Sequence, residues 1–180
     1  MTQRRYVPLV SLALVVVALS IIVSSLLIGG AKPQPLPATG SGPALVSQAQ
    51  LARLAAMTDH PVYWAGPEKG YSYELTRTAG GRIYIRYLPR GTAAGDPRPG
   101  FLVVGTYPQR GSFADLRGAA SGKRSVSLGI DHGGIAVFSP ARPTSVYFSY
   151  PRAAYQVEVY DPSGYTARRL VLAGRITPVR

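Results

Sequence analysis

Cysteine is absent from this 180-residue chain, and its absence removes several kinds of chemistry at once. There is no disulfide, no thiol nucleophile, no thiolate-ligated zinc and no lipid-modified cysteine. Acidic residues are few, 8 Asp and Glu against 20 Lys and Arg, which leaves a formal net charge of +12. Paired-carboxylate hydrolysis therefore has few candidates. Glu74 with Glu158 is one, though each is more simply read as the partner of an arginine on a strand face. A Gly-x-Ser-x-Gly elbow and a Ser-x-x-Lys pair are missing as well, so the common serine-hydrolase signatures do not apply. The stretch GAASGKRS at 118–125 imitates a phosphate loop, but only three residues separate its glycines where four are needed, and Arg124 stands in the Ser/Thr place.

What the chain does have is one long apolar run. From Leu9 to Ile28 the only non-apolar residues are Ser11, Ser20, Ser24 and Ser25. A hydrocarbon core of about 30 Å needs roughly 20 helical residues, so residues 9–28 are expected to form a transmembrane anchor. Arg4 and Arg5 precede the run and only Lys32 follows closely. The positive-inside bias then places residues 1–8 in the cytoplasm and everything after residue 28 outside. A cleaved signal peptide is the competing reading, with Gly29-Gly30-Ala31 before the cut, although an h-region is usually shorter. Residues 29–44 follow as a Pro/Gly linker, with Pro33, Pro35, Pro37 and Pro43 favouring an extended chain of about 3 Å per residue.

The remaining residues, 45–180, are the size of one domain with a core of its own. Ser47 and Gln50 make a capping box at the head of SQAQLARLAAM, and Leu51, Leu54, Ala55 and Thr58 line one face, so 47–57 is expected to be an amphipathic helix. Asp59-His60-Pro61 ends it. Next come two β-rich segments, Tyr71–Thr78 and Arg82–Leu88, joined by Ala79-Gly80-Gly81. Pairing Thr78 with Arg82 aligns Leu75 with Ile85 and Tyr73 with Tyr87 on one face, and Glu74 with Arg86 on the other. The two-residue turn would mix the faces, so the three-residue loop is preferred.

PRGTAAGDPRPG at 89–100 reads as a long surface loop and FLVVGTY at 101–107 as a strand covered on both sides. Ser112–Ala120 reads as a short helix capped by Ser112. Strands follow at 126–130, 135–138, 144–150 and 155–160, with a turn at Asp131-His132-Gly133-Gly134. A second turn, Asp161-Pro162-Ser163-Gly164, leads into a last strand over 168–172 that closes a hairpin. The expected fold is mainly β within the α+β class: an antiparallel sandwich or curled sheet of seven to eight strands with one amphipathic helix and a second short one.

Candidate chemistry is sparse. Both histidines sit in Asp-His pairs, Asp59-His60 and Asp131-His132. Brought together, they would make a metal site or a general base for a hydrolase or metal-dependent enzyme. The plainer reading is that His60 marks a helix end and His132 a turn, which leaves no catalytic residue, metal or cofactor assigned. Residues 45–180 carry a net charge of +9 and eleven of the twelve tyrosines, and over the whole chain arginine outnumbers lysine 17 to 3. Tyrosine rings stack on sugars and guanidinium forks bind phosphate or carboxylate. The best contact candidates are Arg82, Tyr84 and Arg86, on the face of their strand turned away from the core.

The layout, with RRYVPLVSLALVVVALSIIV at the start and HPVYWAGPEKGYSYELTRT opening the domain, resembles uncharacterised, single-pass, membrane-anchored exported proteins of GC-rich bacteria. The resemblance implies an organisation and carries no activity. The function expected is an extracytoplasmic binding domain of the cell envelope, integral to the membrane by one span. Its expected contact is an anionic envelope polymer, a lipid surface or a membrane protein, and not nucleic acid. An assembly subunit acting through its transmembrane helix, with Ser20 and Ser24 on one face, is the other alternative.

Overall fold

The computed structural model describes residues 35–40 and 42–180. The expected tail, anchor and first part of the linker lie outside the described residues. Among the described residues no helix is long and apolar enough to cross a membrane.

Eight strands form one antiparallel sheet: β1 (Ala44–Val46), β3 (Tyr71–Arg77), β4 (Ile83–Pro89), β5 (Val103–Pro108), β6 (Val126–Ile130), β7 (Gly134–Ser139), β8 (Arg142–Ser149) and β9 (Tyr155–Tyr160). Their order across the sheet is β1-β3-β4-β5-β9-β8-β7-β6. A two-stranded ribbon of β2 (Tyr63–Trp64) and β10 (Thr177–Pro178), and three helices, α1 (Gln48–Met57), α2 (Ser112–Ala120) and α3 (Gly164–Leu172), complete the domain. The mainly β, α+β class expected from the sequence is thus the one formed. The strands make one large hydrogen-bonded sheet instead of two packed ones.

Alternation sorts the strands into two faces. The inner face carries Leu75, Ile85, Tyr87, Val104, Val146, Phe148, Val157 and Val159, all buried, in one cluster with Leu51 and Leu54 of α1, Val62 and Trp64 beside the ribbon, and Ala167 and Val171 of α3. The outer face carries Glu74, Tyr84, Arg86, Tyr107, Tyr147 and Glu158 at the alternate positions. α2 packs on the outer face over β7, β8 and β9. Its Ser112 hydroxyl bonds Ser149 Oγ at 2.8 Å and donates to Tyr155 O at 2.6 Å.

The β3–β4 hairpin pairs as the hydrophobic pattern requires, with Leu75 opposite Ile85, Tyr73 opposite Tyr87 and Glu74 opposite Arg86. Thr78 N donates to Arg82 O at 3.0 Å, and Gly81 supplies the left-handed residue of the loop at φ 77°. The capping box of α1 is also present. Gln50 N donates to Ser47 Oγ at 3.2 Å and Ser47 N to Gln50 Oε1 at 2.9 Å.

Three local expectations are corrected. Residues 164–172 are a helix, where a strand over 168–172 was expected. Asp161 Oδ1 does accept from Ser163 N at 2.8 Å as a turn requires, but Ser163 Oγ then accepts from Thr166 N at 3.3 Å and starts α3. Ala167 and Val171, four apart, are the buried pair, and five residues of RRLVL are too few to tell that spacing from alternation. Ser112 is not the cap of α2. Gly111 holds that position at φ 78° with no side-chain cap, and the Ser112 hydroxyl is turned into the sheet. β5 begins at Val103, two residues later than expected. Of residues 29–44, read as a Pro/Gly linker, the described ones make contacts with the domain. Pro35 O accepts from Gln50 Nε2 at 3.0 Å, Pro37 O from Arg77 Nη1 at 3.3 Å, and 44–46 add an edge strand to β3.

Candidate functional site

Aromatic, charged and apolar side chains converge in a cleft of about 660 Å³ between the β6–β7 turn, the β8–β9 connection, the end of α3 and the ribbon. Its floor is aromatic. The Tyr63 ring lies edge-on to Phe148 at 5.6 Å, stacks with Tyr150 at 6.5 Å and tilts against Tyr155 at 5.7 Å. The Tyr63 and Tyr155 hydroxyls hydrogen-bond at 3.2 Å. Burial, followed by the hydrogen bond and the field of Tyr155, pushes Tyr63 well above the ordinary phenol range, and burial pushes Tyr150 up as well. Both therefore stay neutral and offer a hydroxyl that donates or accepts.

The polar, ionisable side chains of the lining are Asp131, His132, Arg152 and Arg180. His132 and Arg152 share an unusual backbone. With φ of 58° and 64°, they are the only non-glycine residues in the left-handed region among the described residues, and both line this cleft. Each costs about 1–2 kcal/mol relative to a right-handed conformation, and such residues cluster where side-chain placement matters more than local comfort. The turn Asp131-His132-Gly133 presents the imidazole, whose ring lies 6.5 Å from that of Tyr150.

The two Asp-His pairs line different depressions. Asp131 and His132 belong to the cleft, while Asp59 and His60 line a smaller one of about 500 Å³ beside Arg77 and Arg82. His60 Nδ1 is 3.1 Å from Pro61 O. Among the described residues no three His, Asp or Glu side chains stand close enough to hold a metal ion.

Arg82, Tyr84 and Arg86 are on the outer face as expected, in different circumstances. Arg86 Nη1 donates to Glu74 Oε1 at 2.7 Å, and Arg86 Nη2 donates to Asp96 O at 2.9 Å and Arg98 O at 3.1 Å. Its guanidinium also lies 5.1 Å from the Phe101 ring centroid, beneath the 90–102 loop. Arg82 is exposed with its guanidinium 5.7 Å from the Tyr107 ring centroid, and Tyr84 tilts against the same ring at 5.6 Å.

Sequence reasoning missed Arg152, Arg180 and the three tyrosines as one group. Tyr63, Tyr150 and Tyr155 come from β2, the β8–β9 connection and β9, and only the fold brings them together. Pro151-Arg152-Ala153 carries a turn signal but nothing that marks Arg152 as left-handed. No protein-family model matches the chain, and neither the curated proteins nor the solved structures contain a match to it.

Proposed function

We propose that this chain is an exported, membrane-anchored binding module whose cleft takes an anionic glycan of the cell envelope. The observation that carries the reading is the coincidence of His132 and Arg152, both in left-handed backbone, in one cleft with Arg180. Arg152 and Arg180 supply forked donors for a carboxylate or phosphate. Tyr63, Tyr150 and Tyr155 supply ring surface and neutral hydroxyls of the kind that sit against a sugar. Asp131 is the only acidic side chain in the lining. A pair of carboxylates for glycoside hydrolysis is thus not assembled there, and binding is favoured over turnover. The apolar run at 9–28 and the positive charge of 45–180 support display at a polyanionic surface.

The test is binding of the full chain, in detergent, to isolated anionic wall polymer across a salt series. Saturable binding that weakens as salt rises, and that falls at least tenfold in Arg152→Ala and Arg180→Ala, is the expected result. Binding unchanged in both variants overturns the cleft as the site. Binding to anionic lipid vesicles but not to wall polymer overturns the glycan as the ligand.

A further inference from the structure

The uncovered part of the outer face carries a second constellation that shares no residue with the cleft. Two glutamates stand on this face. Glu74 is fully satisfied: Arg86 donates to one oxygen at 2.7 Å, Gly95 N donates to the other at 2.5 Å, and its side chain is 1% exposed. Glu158, on β9, accepts from Tyr107 Oη and from Ser145 Oγ, the latter at 2.7 Å. Tyr147 is pushed up by burial and then by the charge of Glu158. Among the described residues no lysine or arginine pairs with Glu158.

Two rings stand at this carboxylate, those of Tyr107 and Tyr147, and Tyr84 tilts against Tyr107 at 5.6 Å. Gly105 lies opposite Tyr84 on one side and Glu158 on the other. Its lack of a side chain lets Tyr107 fold back across its own strand, since a Cβ there would stand 2.7 Å from Tyr107 Oη. One cation flanks the group: the Arg82 guanidinium lies 5.7 Å from the Tyr107 ring centroid.

We propose that Glu158 and the rings of Tyr84, Tyr107 and Tyr147 bind a protonated amine, and that Arg82, beside Tyr107, receives an acidic group on the same ligand, a zwitterion of the phosphoethanolamine type. The amine does for Glu158 what Arg86 does for Glu74, a charge-assisted hydrogen bond to a part-buried carboxylate. The ring faces add cation–π attraction. A bare cation is repelled by the Arg82 guanidinium and by the other positive charges of the basic domain. An anionic group carried with the amine turns those same charges into attraction.

Ring-13C tyrosine NMR of the full chain, titrated with phosphoethanolamine, ethanolamine and inorganic phosphate in turn, tests this. Saturable shifts at Tyr84, Tyr107 and Tyr147 with phosphoethanolamine are expected, with at least fivefold weaker binding of ethanolamine. Glu158→Gln is expected to weaken binding at least tenfold with the Trp64 signal unchanged, and Tyr147→Leu does the same by removing one ring without touching the charge. Short-chain phosphatidylethanolamine, titrated below its micelle concentration, separates the sources without a bilayer to hold the apolar run at 9–28: tighter binding than phosphoethanolamine assigns the ligand to lipid, and weaker binding assigns it to a soluble zwitterion. No saturable shift at the three rings, or Glu158→Gln binding within twofold of the parent, overturns the site. Equal binding of ethanolamine and phosphoethanolamine overturns the zwitterion. Shifts confined to Tyr63, Tyr150 and Tyr155 place the phosphate in the cleft, overturning this site while leaving the cleft reading intact.

Discussion

Arg86 and Glu74 show how much a single pair decides. The Glu74 side chain is 1% exposed and that of Arg86 20%, so truncation of the arginine leaves a carboxylate without its counter-charge in the protein. Arg86→Ala is expected to cost about 3–5 kcal/mol, read as a lowered urea midpoint, while the double replacement Glu74→Leu/Arg86→Met recovers most of it because no unpaired charge remains. Loss of the Arg86 bonds to Asp96 O and Arg98 O also frees the 90–102 loop, so limited proteolysis of Arg86→Ala is expected to begin there. Within that loop Asp96 is drawn down from 3.8 to about 2, first by the Arg98 side chain and then by the Arg98 backbone N–H. A carboxylate with a depressed folded pKa contributes its stabilisation in full above its unfolded value and loses it as pH falls through the folded one. The Asp96–Arg98 contact is therefore expected to hold at pH 4 and to be lost between about pH 3.8 and 2. A 13C carboxyl titration reads this directly, with Asp96 returning to the ordinary range in Arg98→Ala. At Arg152 the balance is different. Glycine relieves the left-handed strain of about 1–2 kcal/mol but adds about 0.5–1 kcal/mol of backbone entropy to the unfolded chain. Arg152→Gly is thus expected to melt within a few degrees of the parent while losing ligand in the cleft, which separates a functional role from a structural one.

Among the elements, α3 is the one whose start is most tightly specified. Its Ser163 cap is worth about 1 kcal/mol, and Ser163→Ala is expected to lower stability by that amount in a denaturation series. Gly164 is more demanding. A Cβ there would collide with Pro143 O, backbone that cannot step aside without moving β8. Gly164→Ala is expected to cost about 1–3 kcal/mol as overpacking does, although alanine is the better helix former. These two residues also explain where reading the sequence failed. Asp161-Pro162-Ser163-Gly164 carries the residues of a tight turn, and whether a strand or a helix succeeds it depends on Ala167 and Val171 finding a sheet to cover. The β3–β4 hairpin was legible because its two possible registers place different residues in the core, and only one keeps Leu75, Ile85, Tyr73 and Tyr87 together. The ribbon of β2 and β10 pairs residues 63–64 with 177–178, and no local signal in two residues announces a partner so distant.

At the scale of the molecule, the sheet order places β4, β5 and β9 in the interior and β1 and β6 at the edges. Amide exchange is expected to be slowest in β5 and β9, flanked on both sides, and fastest in β1 and β6, each with one free edge. The same order explains the division of labour between the faces. Among the described residues, three helices and a ribbon are too few to cover both faces of eight strands, so the inner face is closed by α1, α3 and the ribbon, and the outer one is covered there only by α2 and the 90–102 loop. The part left open there holds Tyr84, Tyr107, Tyr147 and Glu158, while the cleft opens at the end of the sheet where α3 and the ribbon stop.

By itself the sequence determined the local matters: the mainly β character, the capped helix at 48–57, the hairpin register, the turn at 131–134 and the excess of arginine and tyrosine over acid. Each depends on neighbours a few residues apart, whose spacing and backbone preference are written in the chain. Only the tertiary structure decided which arginines stand open to a ligand and which are held. Arg86 was paired with Glu74 by register, but its burial beneath residues 96–101 was not, and Arg152 and Arg180 meet only because two connections and the ribbon end at the same place. Burial and convergence depend on contacts between residues far apart in sequence, so no spacing along the chain records them.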